Sequence, residues 1–362
     1  MQVGIVGLPQ SGKTTLLNAL TGQELVTGGF SGRESVNLGT ARVPDPRLDA
    51  LVPLFEPEKK IPATVDFIDV AGFAPAKEGE RGISSELIGK MRNVNMLMAV
   101  VRAFENERVP HPSQSVDAER DFESLRTELL VADQTVVEAR IEKLEKTVKH
   151  KKDPESVQHL ELMRRCIEAL EREDPLRAVE FSAAEEKLLR GYNFLTLQPL
   201  LVVVNIGEGD FEKEAEIVAR FEPRLRHPGT RISVVSARIE AEIQGLEEKE
   251  AVMFREELGM KEPALDKLIR ASYELLGLIS FFTVGKDEVR AWTIRDGLLA
   301  PAAAGAIHGD IERGFIRAEV VSYEDFMKVK TLVDCKKAGT LRLEGKDYRV
   351  ADGDIINYRF SV

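Results

Sequence analysis

The stretch GIVGLPQSGKTT, Gly4 to Thr15, decides how the rest of this 362-residue chain is read. Gly7, Gly12, Lys13 and Thr14 meet the spacing GxxxxGK followed by Ser or Thr, after the apolar run QVGIVG and before the helix-like TTLLNALTG. Glycines let the backbone wrap closely enough for its N–H groups to face phosphate oxygens. Lys13 supplies a cation toward the β and γ phosphates, and the Thr14 hydroxyl is placed to ligate Mg²⁺. A phosphate loop in this context predicts a triphosphate site but leaves the base open.

Working outward, FIDVAG, Phe67 to Gly72, is an apolar strand ending in Asp69 with Gly72 three residues on. In phosphate-loop NTPases such an aspartate holds magnesium, usually through water, and such a glycine offers its N–H to the γ-phosphate. The next position, often a glutamine that orients the attacking water, is Phe73, so another group must do that work. GTPases of this class read guanine with NKxD after a later strand. Here PLLVVVN ends in NIGE, Asn205 to Glu208. Glu208 is one methylene longer than aspartate, and Ile206 replaces the lysine that covers the base. An anion opposite the N1 acceptor of adenine gains nothing, so guanine preference is expected to be relaxed or lost. A GTPase with a variant motif remains an alternative. VSARIE places Ser236 and Ala237 at the strand end where the last base-contacting loop of this fold lies.

A chain with 43% hydrophobic and 31% charged residues is expected to bury one large core and one or two smaller ones. The net charge of −11 argues against a surface that is everywhere a nucleic-acid footprint, so any RNA contact is local. Cys166 and Cys335 lie far apart without a metal spacing, which fits a reducing compartment. With no signal-peptide pattern at the opening residues and no apolar run of membrane-spanning length, a cytoplasmic protein is expected.

Apolar runs at 2–7, 64–70, 95–104, 199–205 and 231–237, with helical stretches between several, predict an α/β fold. The expected architecture is a doubly wound, mostly parallel sheet. From about Ser113 to Gln198 the texture becomes charged and helical. Val137, Ile141, Leu144 and Val148 form one apolar seam, and Leu160, Met163, Ile167 and Leu170 another, with Pro154 at the turn between. An inserted antiparallel hairpin is the simplest reading; two helices packed flat on the core are the rival. Lys146, Lys149, Lys151 and Lys152 gather positive charge at the tip, a solvated face or a local RNA contact. The remainder, from Leu278, alternates strands and turns around one small-residue helix, which predicts an α+β module. It carries 13 Lys plus Arg and 13 Asp plus Glu, so the acidic balance belongs to the earlier residues. The expected divisions are 1–112 and 199–277 for the nucleotide-binding part, 113–198 for the helical insertion and 278–362 for the C-terminal module.

With these motifs in order, the sequence resembles the YchF/Obg-like ATPase family over nearly its whole length. GIVGLPQSGKTTLLNALTG, ARVPDP, DVAGF, VRAFEN, NIGE, SARIEAEI and the long FFTVGKDEVRAWTIRDGLLAPAAAGAIHGDIERGFIRAEVVSYEDF carry the likeness. The resemblance implies a GTPase-like phosphate-loop fold with an antiparallel coiled-coil insertion and a C-terminal β-grasp (TGS) domain. It also implies an ATPase that prefers ATP over GTP, requires Mg²⁺ and associates with the ribosome or a ribosomal subunit. Carried over residue by residue, Gln10, Ser11, Gly12, Lys13, Thr14 and Thr15 would wrap the phosphates. Thr14, Ser35 and Asp69 would serve magnesium. Gly72, Asn205, Ile206, Glu208 and Ser236 would line the nucleotide, Ile206 touching adenine partly through its backbone. His111 occupies the place of the family's mobile catalytic histidine, standing in for the missing glutamine. The chain departs from the family pattern at Gln10, Ser11 and Thr14. In the first switch segment an inserted residue unsettles the alignment of Ser35, and Glu34 stands where the family has a cysteine. Two other readings stay open: a GTPase in ribosome assembly or translation, and a nucleotide-gated ribosome-binding module whose hydrolysis is incidental.

Overall fold

The protein is described from a computed structural model covering residues 1–23, 37–69, 83–150, 153–260 and 262–361. Ser35, Gly72, Phe73, Lys151 and Lys152 lie outside the described residues. The first part of the chain runs β1 (Gln2–Val6), α1 (Lys13–Thr21), β2 (Asn37–Arg42), α2 (Pro46–Phe55), β3 (Lys59–Ile61), β4 (Thr64–Asp69), α3 (Ser85–Arg92) and β5 (Met96–Ala103). Two long helices follow, α4 (Ala118–His150) and α5 (Pro154–Glu171), and then β6 (Leu200–Ile206) and β7 (Thr230–Val235).

One six-stranded sheet has the order β2-β4-β1-β5-β6-β7, and its last five strands pair in parallel. Every residue of β6 is buried, as the unbroken apolar run anticipates for a strand covered on both faces. From β1 the chain passes to β4 on one side and then to β5 on the other. The phosphate loop therefore leaves β1 at the point where strand order reverses, the crevice in which open α/β sheets bind ligands.

The insertion is a hairpin, so the flat-packed alternative fails. Phe122, Leu125 and Leu129 of α4 pack in the sheet core, and the same helix continues into a separate core shared with α5. In that second core Val137 and Leu144 meet Leu160, Met163, Cys166 and Leu170, with Ile141, Val148 and Ile167 partly buried beside them. Pro154 opens α5 rather than bending it, and the Asp153 side chain caps the helix by accepting from the Ser156 N–H at 2.9 Å.

The second unit is made of β8 (Leu278–Val284), β9 (Glu288–Arg295), β10 (Phe315–Ser322), β11 (Arg342–Glu344) and β12 (Asp354–Phe360), with short helices. In the order β11-β10-β12-β8-β9-β3, β12 lies parallel to β8 between two antiparallel pairs, which is the β-grasp arrangement. Two expectations are corrected here. The small-residue helix is two helices, Ala300–Gly305 and Gly309–Arg313. Extended His308 (φ −162°, ψ 141°) separates them and caps the second. The other concerns residues 41–65, placed by sequence with the nucleotide-binding part. They belong to the compact unit of Ile269–Val362. There β3 adds a parallel edge to β9, and Arg47 at the start of α2 bridges Asp45 and Asp352. Phe55 stacks on Phe326 with ring centroids 5.5 Å apart. Asp352, Phe326 and β9 lie hundreds of residues away from this segment in sequence, beyond what local periodicity can signal. Among the described residues no helix is long and apolar enough to cross a membrane.

Candidate functional site

The phosphate loop owes its shape to two close approaches. A Cβ on Gly7 would lie 2.2 Å from the Val100 carbonyl oxygen, and one on Gly12 would lie 2.2 Å from the Asn205 amide nitrogen. Gly12 also has φ 94°, in the left-handed region that only glycine enters without cost. Exposed Gln10 shares that region at φ 63°. Lys13 begins α1, and its ammonium donates to the Gly7 and Leu8 carbonyls at 3.2 and 2.8 Å. Burial pulls its pKa down to about 8, opposed by the Asp69 carboxylate. A charge held in so dry a place, with loop carbonyls as its acceptors among the described residues, is suited to an arriving phosphate.

Thr14, one residue on, donates its hydroxyl to Asp69 Oδ2 at 2.9 Å, which joins the two motifs separated by 55 positions. Among the described residues, Asp69 Oδ1 is buried without a hydrogen-bond partner, as is Ser11 Oγ. A hydroxyl and a carboxylate with a spare oxygen form the hard oxygen set that Mg²⁺ takes while keeping most of its waters. These residues therefore fit the ion. Half-buried Thr15 follows on the same helix.

The base side departs from expectation in its details. Asn205, at the end of β6, donates its amide to the Ser11 carbonyl at 3.0 Å and accepts from the Ala237 N–H at 3.0 Å. It thereby ties the phosphate loop to the segment after β7. Ser236, 1% exposed, caps the helix Ala237–Gln244 through its carbonyl. Ile206 is only 3% exposed and packs in the sheet core with Phe221 and Val234. Exposed Glu208 pairs with Arg238 at 3.0 Å, and Arg238 also holds Glu242. Arg238, on the first turn of the helix Ala237–Gln244, was not singled out within VSARIE; a cation after one base-side strand opposite an acid after the other was the available signal.

His111 is buried. Its Nδ1 accepts from the Ser113 N–H at 3.1 Å, and its Nε2 lies 2.8 Å from Asp121 Oδ2 on α4. Arg120 clamps the other oxygen of Asp121, with Nη2 at 2.9 Å. Asp121 also lines a small crevice with Gly7, Leu8, Ser11 and Arg102, so the histidine's partner abuts the phosphate loop. Arg102, 2% exposed at the end of β5, donates to the Phe104 and Val109 carbonyls at 3.0 and 2.8 Å. Burial lowers its pKa, countered by Glu105 and Asp121. Neither Arg102 nor Asp121 was singled out from sequence, although an acid on the buried stripe of α4 is a readable signal.

A family model for the C-terminal part of YchF GTPases, described as a protein of unknown function, matches residues 278–361. Another, described as a 50S ribosome-binding GTPase, matches residues 2–152. The ribosome-binding ATPase YchF of Bacillus subtilis is 42% identical over all of both chains. Its namesake from Escherichia coli O157:H7 is 40% identical over 99% of each. The solved structure of the YchF GTPase from Schizosaccharomyces pombe superposes with a TM-score of 0.85 at 30% identity, covering 99% of this chain and 97% of its own. Likeness at that level across the nucleotide-binding sheet, the helical hairpin and the β-grasp unit makes this chain a member of the YchF family.

Proposed function

We propose that this protein binds ATP in preference to GTP, hydrolyses it slowly with Mg²⁺, and uses the cycle as a conformational switch on the ribosome in the cytoplasm. The observation that carries the reading is the joined set of Lys13, Thr14 and Asp69, a buried cation beside a hydroxyl and a carboxylate with a spare oxygen. Bound magnesium would neutralise charge on the β and γ oxygens; Thr14 and Asp69 would hold it, with Ser35 as the expected third residue. Lys13 and the loop N–H groups from Gln10 to Thr15 would stabilise charge on the transferred phosphoryl group. Gly72 would add its N–H to the γ-phosphate, and His111 would place the water in the absence of a glutamine beside Gly72.

The preference for ATP is supported by Glu208, whose carboxylate is engaged by Arg238 rather than free for the donors of guanine. The names of the B. subtilis and E. coli relatives support both the ATPase and the ribosome reading. RNA contact would fall to the hairpin tip around Lys146 and Lys149 and to the β-grasp unit. A GTPase is the second reading, favoured by the description of the N-terminal family model and by the name of the S. pombe protein. Competition of ATP and GTP for a fluorescent nucleotide decides between them. A lower dissociation constant for ATP is expected, and a lower one for GTP overturns the preference. Lys13→Ala is expected to abolish binding of either. If His111→Ala stops turnover but the protein still supports growth in cells lacking the native copy, hydrolysis is incidental and ribosome binding is the function.

A further inference from the structure

We infer that Asp121 is a positioning residue that holds His111 withdrawn, and that turnover requires this buried pair to open. The inference rests on the reading of His111 as the group that places the water. A histidine doing that work needs a ring nitrogen that can meet water, and here Nδ1 is engaged while Nε2 is shut in against a buried carboxylate. Nδ1 accepts from the Ser113 N–H at 3.1 Å, so the ring proton belongs on Nε2, which lies 2.8 Å from Asp121 Oδ2 in a close polar contact rather than an aligned hydrogen bond, that oxygen accepting none among the described residues. Both side chains are 3% exposed. Asp121 is itself held from behind by Arg120, through Nε at 3.1 Å and Nη2 at 2.9 Å, so the carboxylate cannot follow the ring outward.

The segment carrying His111 is anchored before it and strained after it. Arg102 grips the Phe104 and Val109 carbonyls, while Pro110 and Pro112 stiffen the chain on either side of the histidine. A turn then closes from the Gln114 N–H to the His111 carbonyl at 2.9 Å, with Gln114 at φ 64°. A glutamine in the left-handed region is disfavoured and persists only where neighbouring contacts enforce it. The polar contacts of His111 and the strain at Gln114 therefore oppose each other. The crevice shared by Asp121 with Gly7, Leu8 and Ser11 sets the pair against the loop that phosphate occupies, where a change in the loop can tip the balance.

The full chain with Mg²⁺ and ATP tests this by steady-state phosphate release, with reaction of His111 toward diethyl pyrocarbonate mapped by peptide mass spectrometry. Asp121→Asn is expected to raise kcat by about fivefold or more, since turnover scales with the fraction of molecules in the competent state. The KM for ATP should stay within about twofold and His111 should be modified faster, because only the latch equilibrium changes. Asp121→Glu should return both readouts toward the parent. Gln114→Gly, which relieves the strain of the withdrawn state, should lower kcat by about fivefold. The double variant D121N/H111A should fall to the level of His111→Ala. A folded Asp121→Asn protein whose kcat is unchanged, or drops to the His111→Ala level, overturns the inference. If Asp121→Asn does not fold, an unchanged or raised kcat in Gln114→Gly overturns it instead. Should His111→Ala hydrolyse ATP like the parent, the catalytic reading of His111 is what fails. The modification rates then still show whether Asp121 holds the ring.

Discussion

Asp69 shows how much one side chain is asked to do at this site. It ends β4, takes the Thr14 hydroxyl on one oxygen and, among the described residues, keeps the other buried without a donor. Leaving a buried carboxylate oxygen without a donor costs free energy unless a cation or its waters serve it. Asp69→Asn is therefore expected to leave the fold intact and lower Mg²⁺-dependent kcat by about 10²-fold, as lost transition-state charge stabilisation does. Single-turnover hydrolysis across a Mg²⁺ titration measures it; a kcat within about threefold of the parent would detach Asp69 from the metal. That Lys13, Thr14 and Asp69 come together was legible in the sequence, because their spacing follows the loop after β1 and the end of β4. The packing of Ile206 was not. Whether the residue after Asn205 faces a base or the core depends on how the strand end packs, and here it packs inward.

Along α4 the lesson is one of register. Asp121, Leu125, Leu129, Asp133 and Val137 recur every four residues on the buried face, so two acids interrupt an apolar stripe. Asp133 is fully buried. It accepts from the Leu195 and Thr196 N–H groups at 3.0 and 2.7 Å, from the Thr196 hydroxyl at 2.9 Å and from Arg92 at 3.0 Å. It fastens the base of the hairpin to α3 and to the segment entering β6. Burial raises its pKa, against the pull of those donors and of Arg92. Asp133→Ala strands four donors and should cost about 3–5 kcal/mol, with Asp133→Asn costing less. Urea unfolding followed by circular dichroism checks both, and equal losses would deny the charge any part. Further along the hairpin, His159 meets the Tyr192 hydroxyl at 3.0 Å, and burial with nearby Arg140 lowers its pKa from 6.5. A depressed histidine pKa means the folded state binds fewer protons than the unfolded state. Its contribution is therefore complete above pH 6.5 and is lost as pH falls below that value. The melting temperature should decline over this range in the parent more than in His159→Phe.

At the scale of the whole molecule, the chain leaves the nucleotide-binding sheet after β2, builds α2 and β3 into the β-grasp unit, and returns at β4. The two segments that make up a phosphate site, the loop before α1 and the end of β4, are thus separated in sequence by an element of another unit. A fragment of residues 278–362 should consequently be far less stable than the same residues in the full chain. It lacks the helix whose Arg47 lies over Phe282 and binds Asp352, and the strand that covers the edge of β9. Thermal unfolding of that fragment, with and without a fused Ala41–Val65 segment, measures the difference; equal stability would make α2 and β3 ornaments of the unit.

Sequence by itself determined the glycine-rich loop after β1, the aspartate at the end of β4, the parallel strands, the apolar seams of the hairpin and the family, because each is written in short spacings that chemistry or secondary structure imposes. Only the tertiary structure decided that residues 41–65 complete the β-grasp sheet, that Arg238 engages Glu208, and that His111 lies buried against Asp121. Those outcomes depend on which surfaces meet after folding, and a pairing between distant residues leaves no period in the chain for a reader to find.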